Sequence, residues 1–456
     1  MIAIIGAGIT GLSLHHYLRQ REIESVVFEA SSEPGGVIRT IHGGGRVLEC
    51  GPQRMRMTST VRELIDEVGL ENQLIEAADV PLYVYYGGTL RLAPLSVRKA
   101  IATDLLSLRG KLRVLLEPLS DPPVEGETVE EYLRRSFGAE FATRLGGPLY
   151  AGLYASDPGE MPVEHSLARA IDRFGIEGSL LVSLLRHWMR RRSPPPVVSF
   201  QDGMQSLPEA LYERYGDNIQ LDVPVQSIER SQRGYDLVGD GVRLRADTVV
   251  LTTPAPVAAS LLEAVDPMSA EALRVLSYNP LAVVHLLAED SLDGAGYQVP
   301  LTEESVTLGV TYNDGLFGHQ GLKMVPPSER SGTFETGREG IYTCFLGGAK
   351  TPEAVEWSDE TLANVSEQEF RVATGVAAEA IHVRRNVPGM PAYDHSWDHL
   401  VHLDPPPEVH VCANYESRAG IPGRVVQGQR LATTLAREDT EPDQRIATNY
   451  HGSNGI

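Results

Sequence analysis

The chain opens on an apolar strand that runs directly into a glycine turn: Met1-Ile2-Ala3-Ile4-Ile5, then Gly6-Ala7-Gly8-Ile9-Thr10-Gly11. A helical stretch follows, and a second apolar strand, Ser25-Val26-Val27-Phe28, ends at Glu29. Strand, turn, helix and a strand ending in a carboxylate is the order a dinucleotide site demands. Each glycine has its own duty there. Gly6 makes the tight turn, Gly8 lets the main chain approach a pyrophosphate, and Gly11 lets the helix pack on the strand. The helix N-terminus offers N–H groups and a positive dipole end to phosphate. Glu29 can accept hydrogen bonds from ribose hydroxyls, and its charge disfavours a 2′-phosphate.

The next segment separates NAD from FAD. Glu33-Pro34-Gly35-Gly36-Val37-Ile38-Arg39 holds a second glycine pair, and Glu49-Cys50-Gly51-Pro52 follows. A bare nicotinamide site needs neither. A Gly-Gly turn lets backbone amides meet an extended cofactor, and Arg39 offers a fixed cation to pyrophosphate or flavin. FAD is therefore the expected cofactor, and from here the chain resembles the flavin amine oxidase superfamily of FAD enzymes.

At 456 residues the chain is long enough for two or three domains. Its net charge of −21 argues against general nucleic-acid binding. Cys50, Cys344 and Cys412 are widely spaced and lack a metal pattern, so they read as small packing residues of a reducing compartment. No window holds the uncharged apolar run of about 18 residues that a membrane span needs. With a first strand at Met1, no leader is expected. The expected location is the cytoplasm.

The nucleotide-binding half reads as discontinuous. The expected organisation is α/β and α+β: a Rossmann-like FAD-binding domain in three parts (1–80, 197–260 and 386–440), a sheet-based substrate domain (hairpin 81–98, then 261–385), a helical subdomain (99–196) and a tail (441–456). The hairpin is Leu82–Tyr86, Gly87-Gly88, Thr89–Leu92. Leu105, Leu108, Leu112 and Leu115-Leu116 recur near helical spacing. Val409–Ala413 reads as a last strand and Gly428–Arg437 as a last helix, with Ala419-Gly420-Ile421-Pro422 in the loop between them.

The middle of the chain narrows the family. Leu145-Gly146-Gly147-Pro148-Leu149-Tyr150-Ala151-Gly152-Leu153-Tyr154-Ala155-Ser156-Asp157-Pro158 resembles the helical-domain signature of the protoporphyrinogen and coproporphyrinogen oxidases. Gly203-Met204-Gln205-Ser206-Leu207-Pro208 is similar to their Gly-Gly-Met-x-x-Leu-Pro element, with Asp202 for the first glycine. Gly296–Pro300, Leu308–Asn313, Phe345–Gly348 and Met390-Pro391-Ala392-Tyr393 follow that family in order. The resemblance covers nearly the whole chain and implies a GR2-type FAD fold. It implies FAD contacts at Gly6, Ala7, Gly8, Ile9, Thr10 and Gly11, at Glu29 and Ala30, and at Gly35, Gly36, Val37 and Arg39. Further contacts are implied at Gly51, Pro52, Gln53 and Arg54, at Val225, and at Ala413, Ala419, Gly420 and Ile421.

The implied activity is an oxygen-dependent oxidation of a porphyrinogen in haem synthesis, with the flavin supplying the chemistry and no catalytic side chain assigned. One departure concerns the substrate. The arginine that many relatives carry before the hairpin strand is replaced by Val80-Pro81, leaving Arg54, Arg56, Arg91 and Arg98 as alternatives for a propionate. His15-His16 on the first helix read as structural or solvent-facing. His395 and His399 have i, i+4 spacing but no third ligand, so no metal is expected. The segment Phe174–Arg192 carries an apolar stripe and Arg186, Arg190, Arg191 and Arg192. It would suit either a covering helix or peripheral contact with the inner face of the cell membrane. Other functions compatible with the scaffold are amine oxidation, carotenoid-type desaturation, or FAD binding without catalysis.

Overall fold

The computed structural model describes residues 1–43, 46–94, 97–167, 171, 178–189, 195–239, 242–318, 339–416 and 420–440. A five-stranded parallel sheet has the order Ile219–Gln220, Ser25–Phe28, Ile2–Ile5, Thr248–Leu251, Val409–Val411. Its strands are short and almost wholly apolar, as expected where helices cover both faces of a parallel sheet. The central strand Ile2–Ile5 is buried throughout, and the strand C-terminal ends open onto the glycine turn.

Two helices cover one face. Ile9–Arg19 packs along Ile421–Thr440, and the contact is close at Gly428, where a Cβ would lie 2.9 Å from the Leu14 nitrogen. The last helix therefore begins at Ile421, not at the expected Gly428. Pro422 is tolerated because the first turn has no intrahelical acceptor to serve. Gly428 is tolerated because the neighbouring helix fills the space a side chain would take.

A seven-stranded sheet forms the second body, in the order Glu379–Pro391, Tyr278–Ala288, Gly340–Gly347, Thr307–Tyr312, Gly296–Gln298, Leu82–Tyr86, Thr89–Leu92. The early hairpin joins it through a parallel pairing of Leu82–Val84 with Gly296–Gln298. The Glu379–Pro391 strand is continuous across the expected division at 385/386. Along Tyr278–Ala288 alternate residues face opposite ways. Ala282, Val284, Leu286 and Ala288 pack under Leu362 and Phe370 of the helix Asp359–Thr374, and His285 turns to the nucleotide-binding half.

A helical part of the chain supplies the helices Leu108–Leu115, Val129–Phe137, Gly147–Tyr154 and Leu180–Met189. A π-helical turn, Ala142–Gly146, leads into Gly147–Tyr154. The Leu145–Pro158 element is a junction: Ser156 Oγ donates to the Ala392 carbonyl (2.7 Å) and accepts from Asn279 Nδ2 (2.8 Å), and Ala349 N–H donates to Ala155 O (2.7 Å). Phe174–Glu177 and Arg190–Arg192 of the basic segment lie outside the described residues, as do Ala419 and the tail 441–456. No helix among the described residues is long and apolar enough to cross a membrane.

Candidate cofactor site

The site is built on the first turn. Gly6 has φ +110°, and a Cβ there would meet Thr252 Oγ1 at 2.7 Å. Thr252 lies at the end of Thr248–Leu251, with its hydroxyl 2.9 Å from both the Ile5 and Gly6 carbonyls. A Cβ on Gly11 would come within 2.0 Å of the Gly6 carbonyl oxygen. Gly8 differs from both: an added Cβ would meet no atom within 4 Å. Packing requires glycine at 6 and 11, whereas at 8 only something outside the polypeptide would. Gly8 is also the N-cap of Ile9–Arg19 and makes no side-chain cap, so the Ile9, Thr10 and Gly11 N–H groups have no partner within the helix.

Glu29 sits beside this opening. Its Oε2 accepts from Ala7 N–H at 2.7 Å, and its Oε1 accepts from the N–H and Oγ of Ser31, each at 2.9 Å. Ala30 is exposed next to it. Val223 N–H donates to the Glu29 carbonyl (2.8 Å), which starts the Val225–Arg230 strand close to the carboxylate. Gly35 bridges Gly8 in parallel fashion, with Gly35 N–H on Ala7 O at 2.8 Å. Gly36 and Val37 lie exposed beyond it, Val37 at 58 %. Arg39 pairs with Glu33, and burial, then the neighbouring Arg384, lowers its guanidinium pKa.

The loop Gly51-Pro52-Gln53-Arg54 continues the wall. Gly51 is dictated by packing, since a Cβ would lie 1.8 Å from Val37 O. Gln53 is buried, and its Nε2 has no partner. From the far end of the chain come Ala413, buried, and Gly420, exposed, whose Cβ would meet nothing within 4 Å. Ile421 begins the last helix there. The residues present fit an extended dinucleotide cofactor: an uncapped helix N-terminus, open space over Gly8 and Gly420, and an inward amide at Gln53.

Residues that sequence reasoning did not single out brace this frame. Glu49 is buried, accepts from Met204 N–H (2.7 Å) and Thr40 Oγ1 (2.9 Å), and burial raises its carboxyl pKa to about 7. Its carbonyl accepts from His285 Nε2 at 3.0 Å, which fixes that imidazole as the Nε2–H tautomer. Asn386 Nδ2 donates to Cys50 O (2.8 Å), so both bodies clamp the 49–50 segment. Glu416 accepts from Ala413 N–H (3.2 Å) and Gln427 Nε2 (2.8 Å), and burial also raises it to about 7. An acidic residue two positions from Gly51 of Gly51-Pro52 and from Asn414 of Asn414-Tyr415 is the sequence signal for both.

His15 and His16 are fully buried. His15 Nδ1 contacts Ser25 Oγ (2.8 Å), and His16 bridges Glu67 (2.6 Å) and Tyr215 (2.9 Å). Both are structural. The described residues hold no His, Cys, Asp or Glu group suited to a metal ion, and the three cysteines are free and buried.

Comparison with known proteins gives the family. The model for flavin containing amine oxidoreductase matches residues 9–435. A chloroplastic protoporphyrinogen oxidase of Nicotiana tabacum is 28 % identical over 404 residues, 81 % of this chain and 71 % of that one. A coproporphyrinogen III oxidase of Staphylococcus aureus is 29 % identical over 280 residues, 56 % of this chain and 60 % of its own length. Among solved structures, a protein of Exiguobacterium sp. 255-15, provisionally named protoporphyrinogen oxidase, superposes with a TM-score of 0.78 at 23 % identity, covering 96 % of this chain and 98 % of the other. Cyclohexylamine oxidase of Brevibacterium oxydans superposes at 0.69 with 19 % identity, covering 96 % and 99 %. The chain belongs to the flavin containing amine oxidoreductase family and is an FAD-dependent oxidoreductase.

Proposed function

We propose that the protein oxidises a porphyrinogen, protoporphyrinogen IX or coproporphyrinogen III, to the porphyrin, with oxygen as acceptor, as a step of haem synthesis. The observation that carries this is the pair of relatives above, both porphyrinogen oxidases, one of them matched over 81 % of the chain. Six electrons leave the substrate as three hydrides from bridging carbons, with three protons released besides, two from pyrrole nitrogen and one from the fourth bridging carbon, so that four C–H and two N–H hydrogens are lost in all. FAD, when bound, supplies hydride acceptance and reoxidation by oxygen to hydrogen peroxide.

The chain's own residues bind and orient. Ile9, Thr10 and Gly11 N–H groups would hold the pyrophosphate at the helix N-terminus. Glu29 would take the ribose and the Val225 main chain the adenine side. Gly420 and Ile421 would lie at the ring, where N–H groups favour negative charge. Ala413 is set by Glu416. The buried carboxyls of Glu49 and Glu416 are engaged in hydrogen bonds to main chain, so pyrrole protons would leave to solvent.

A peripheral contact with an anionic membrane surface is part of this reading. The helix Leu108–Leu115 and the turn after it expose Leu108, Leu112, Leu115, Leu116 and Leu119, from 50 % to 84 %, with Arg109 and Lys111 interleaved. Such a face suits an interfacial helix. In Leu180–Met189, by contrast, the exposed side chains described are Leu185 and Arg186.

The test is anaerobic mixing of the yellow protein with each porphyrinogen and with a panel of amines. Loss of flavin absorbance with porphyrinogens is expected. Bleaching by amines alone would overturn the proposal.

A further inference from the structure

In a chain of 61 acids and 40 bases, arginines find carboxylates readily. Arg91 pairs with Asp104 (2.8 Å), Arg135 with Glu127 (2.8 Å), Arg245 with Asp236 (3.0 Å) and Arg385 with Asp359 (2.6 Å). Arg21 and Arg430 meet no carboxylate among the described residues. They line the same surface cavity, of about 360 Å³, together with Gln429, Thr433 and Thr434. That volume is at the small end of the roughly 300–1,000 Å³ range of small-molecule sites. Each of the five side chains carries a hydrogen-bond donor, and none carries negative charge.

Arg21 is held in a fixed plane. Its Nη1 donates to the Tyr17 carbonyl (2.8 Å) and its Nη2 to Thr433 Oγ1 (3.0 Å). Thr433 Oγ1 gives its own hydrogen to the Gln429 carbonyl (2.9 Å), so it meets Arg21 as an acceptor. The Arg21 Nε–H and one hydrogen on each Nη are left for another partner. Arg430 is exposed one turn before Thr434, on the same helix face, and makes no hydrogen bond or ion pair with the described residues. Glu22, Glu67 and Glu438 neighbour these elements, yet none of them is in the cavity wall. Glu67 already accepts from Gln20 Nε2 and is bonded to His16 Nε2, each at 2.6 Å.

We propose that this cavity binds a phosphate group, held between the fixed guanidinium of Arg21 and the unpaired guanidinium of Arg430, with Gln429 and Thr434 as further donors. Arginine forks match oxyanions through paired N–H donors. Two cations and two neutral donors, on two separate elements, suit a tetrahedral dianion; one fork would satisfy a planar carboxylate. The site is distinct from the cofactor's. It lies at the far end of the helix Ile9–Arg19, about 16 Å from the glycine turn at 1.5 Å per residue. Both elements it joins begin at the cofactor site, Ile9–Arg19 at the glycine turn and Ile421–Thr440 beside Gly420, so a bound phosphate ties their distal halves together. The proposal is independent of which substrate the flavin oxidises.

The test uses flavin-loaded protein, so that the cofactor's own phosphate site is filled, at constant ionic strength. Inorganic phosphate, adenosine monophosphate and adenosine are titrated calorimetrically into wild type, Arg430→Gln, Arg430→Lys and Arg109→Gln, the last an exposed arginine far along the chain that serves as a charge control. Wild type should bind phosphate and the monophosphate saturably and adenosine not at all. Arg430→Gln should keep its flavin and melting temperature, since the side chain is exposed, and should raise the phosphate Kd about 10-fold or more. Arg430→Lys should fall between, because the charge returns without the fork. Arg109→Gln should bind as wild type does. Tighter binding of the monophosphate than of phosphate supports the site and identifies a nucleotide as its ligand; equal binding supports it and identifies the phosphate group alone. Absence of saturable binding overturns the site, as do unchanged affinity in Arg430→Gln, an equal loss in Arg109→Gln, or binding of adenosine as tight as that of its monophosphate.

Discussion

Gly11 packs so closely on Gly6 that a Cβ at position 11 would lie 2.0 Å from the Gly6 carbonyl oxygen, while Gly8 between them faces open space. The glycines of one motif therefore serve two masters, and substitution should separate them. Gly8→Val should yield a folded, colourless protein. Gly11→Ala should lose about 3 kcal/mol of stability or more, because main chain must move. Urea melts and flavin absorbance report the two effects. A yellow Gly8→Val protein, or an unfolded one, contradicts the assignment.

Glu29 holds Ala7 N–H at 2.7 Å as well as facing the expected ribose. Glu29→Gln keeps an acceptor for that N–H and should fold normally while binding FAD about 10-fold more weakly. Glu29→Ala also orphans the Ala7 N–H and should cost about 1–3 kcal/mol. Equilibrium dialysis of FAD and denaturation midpoints distinguish the variants.

Stability should depend on pH through groups that oppose each other. Burial holds His15 and His285 down at about 4, below the ordinary 6.5. As pH falls below 6.5 the unfolded chain takes up protons the folded chain refuses, so stability drops toward pH 4, by about 3 kcal/mol per histidine. Glu49 runs the other way. Burial raises it from 4.5 to about 7, so stability is full below pH 4.5 and is lost as pH rises through 7. The stability of Glu49→Gln relative to wild type should therefore improve as pH rises from 4.5 to 7. That of His285→Gln should improve as pH falls from 6.5 to 4. Urea midpoints of the apoprotein that move with the opposite slope would falsify the linkage.

The exposed leucines give a membrane test. Leu112→Ser/Leu116→Ser should fold and turn over as wild type does, since both side chains are at least half exposed. Co-sedimentation with anionic vesicles at low salt should fall several-fold. Equal sedimentation of variant and wild type removes the Leu108–Leu119 face from consideration.

Much of the frame was legible locally. The hairpin Leu82–Tyr86/Thr89–Leu92 is marked by its apolar runs and by Gly87-Gly88. The last helix starts earlier than expected because glycine and proline read locally as loop; the Gly428–Leu14 contact explains the glycine within it and the first-turn position the proline. The strand Val197–Phe200 was not expected after three prolines; it exists because Met55–Arg56 and Leu74–Glu76 pair with it.

By itself the sequence determined the glycine turn, the terminal carboxylate of the second strand, and the family, because these depend on short-range chain geometry and on motif order. Tertiary structure decided which glycine is required by packing and which faces open space, which arginine is already paired, and that Glu49 is wrapped by Met204 and His285. Those outcomes depend on partners more than a hundred residues apart in the chain for Glu49. Burial and pairing are properties of the surroundings a side chain meets after folding, and no local pattern encodes them.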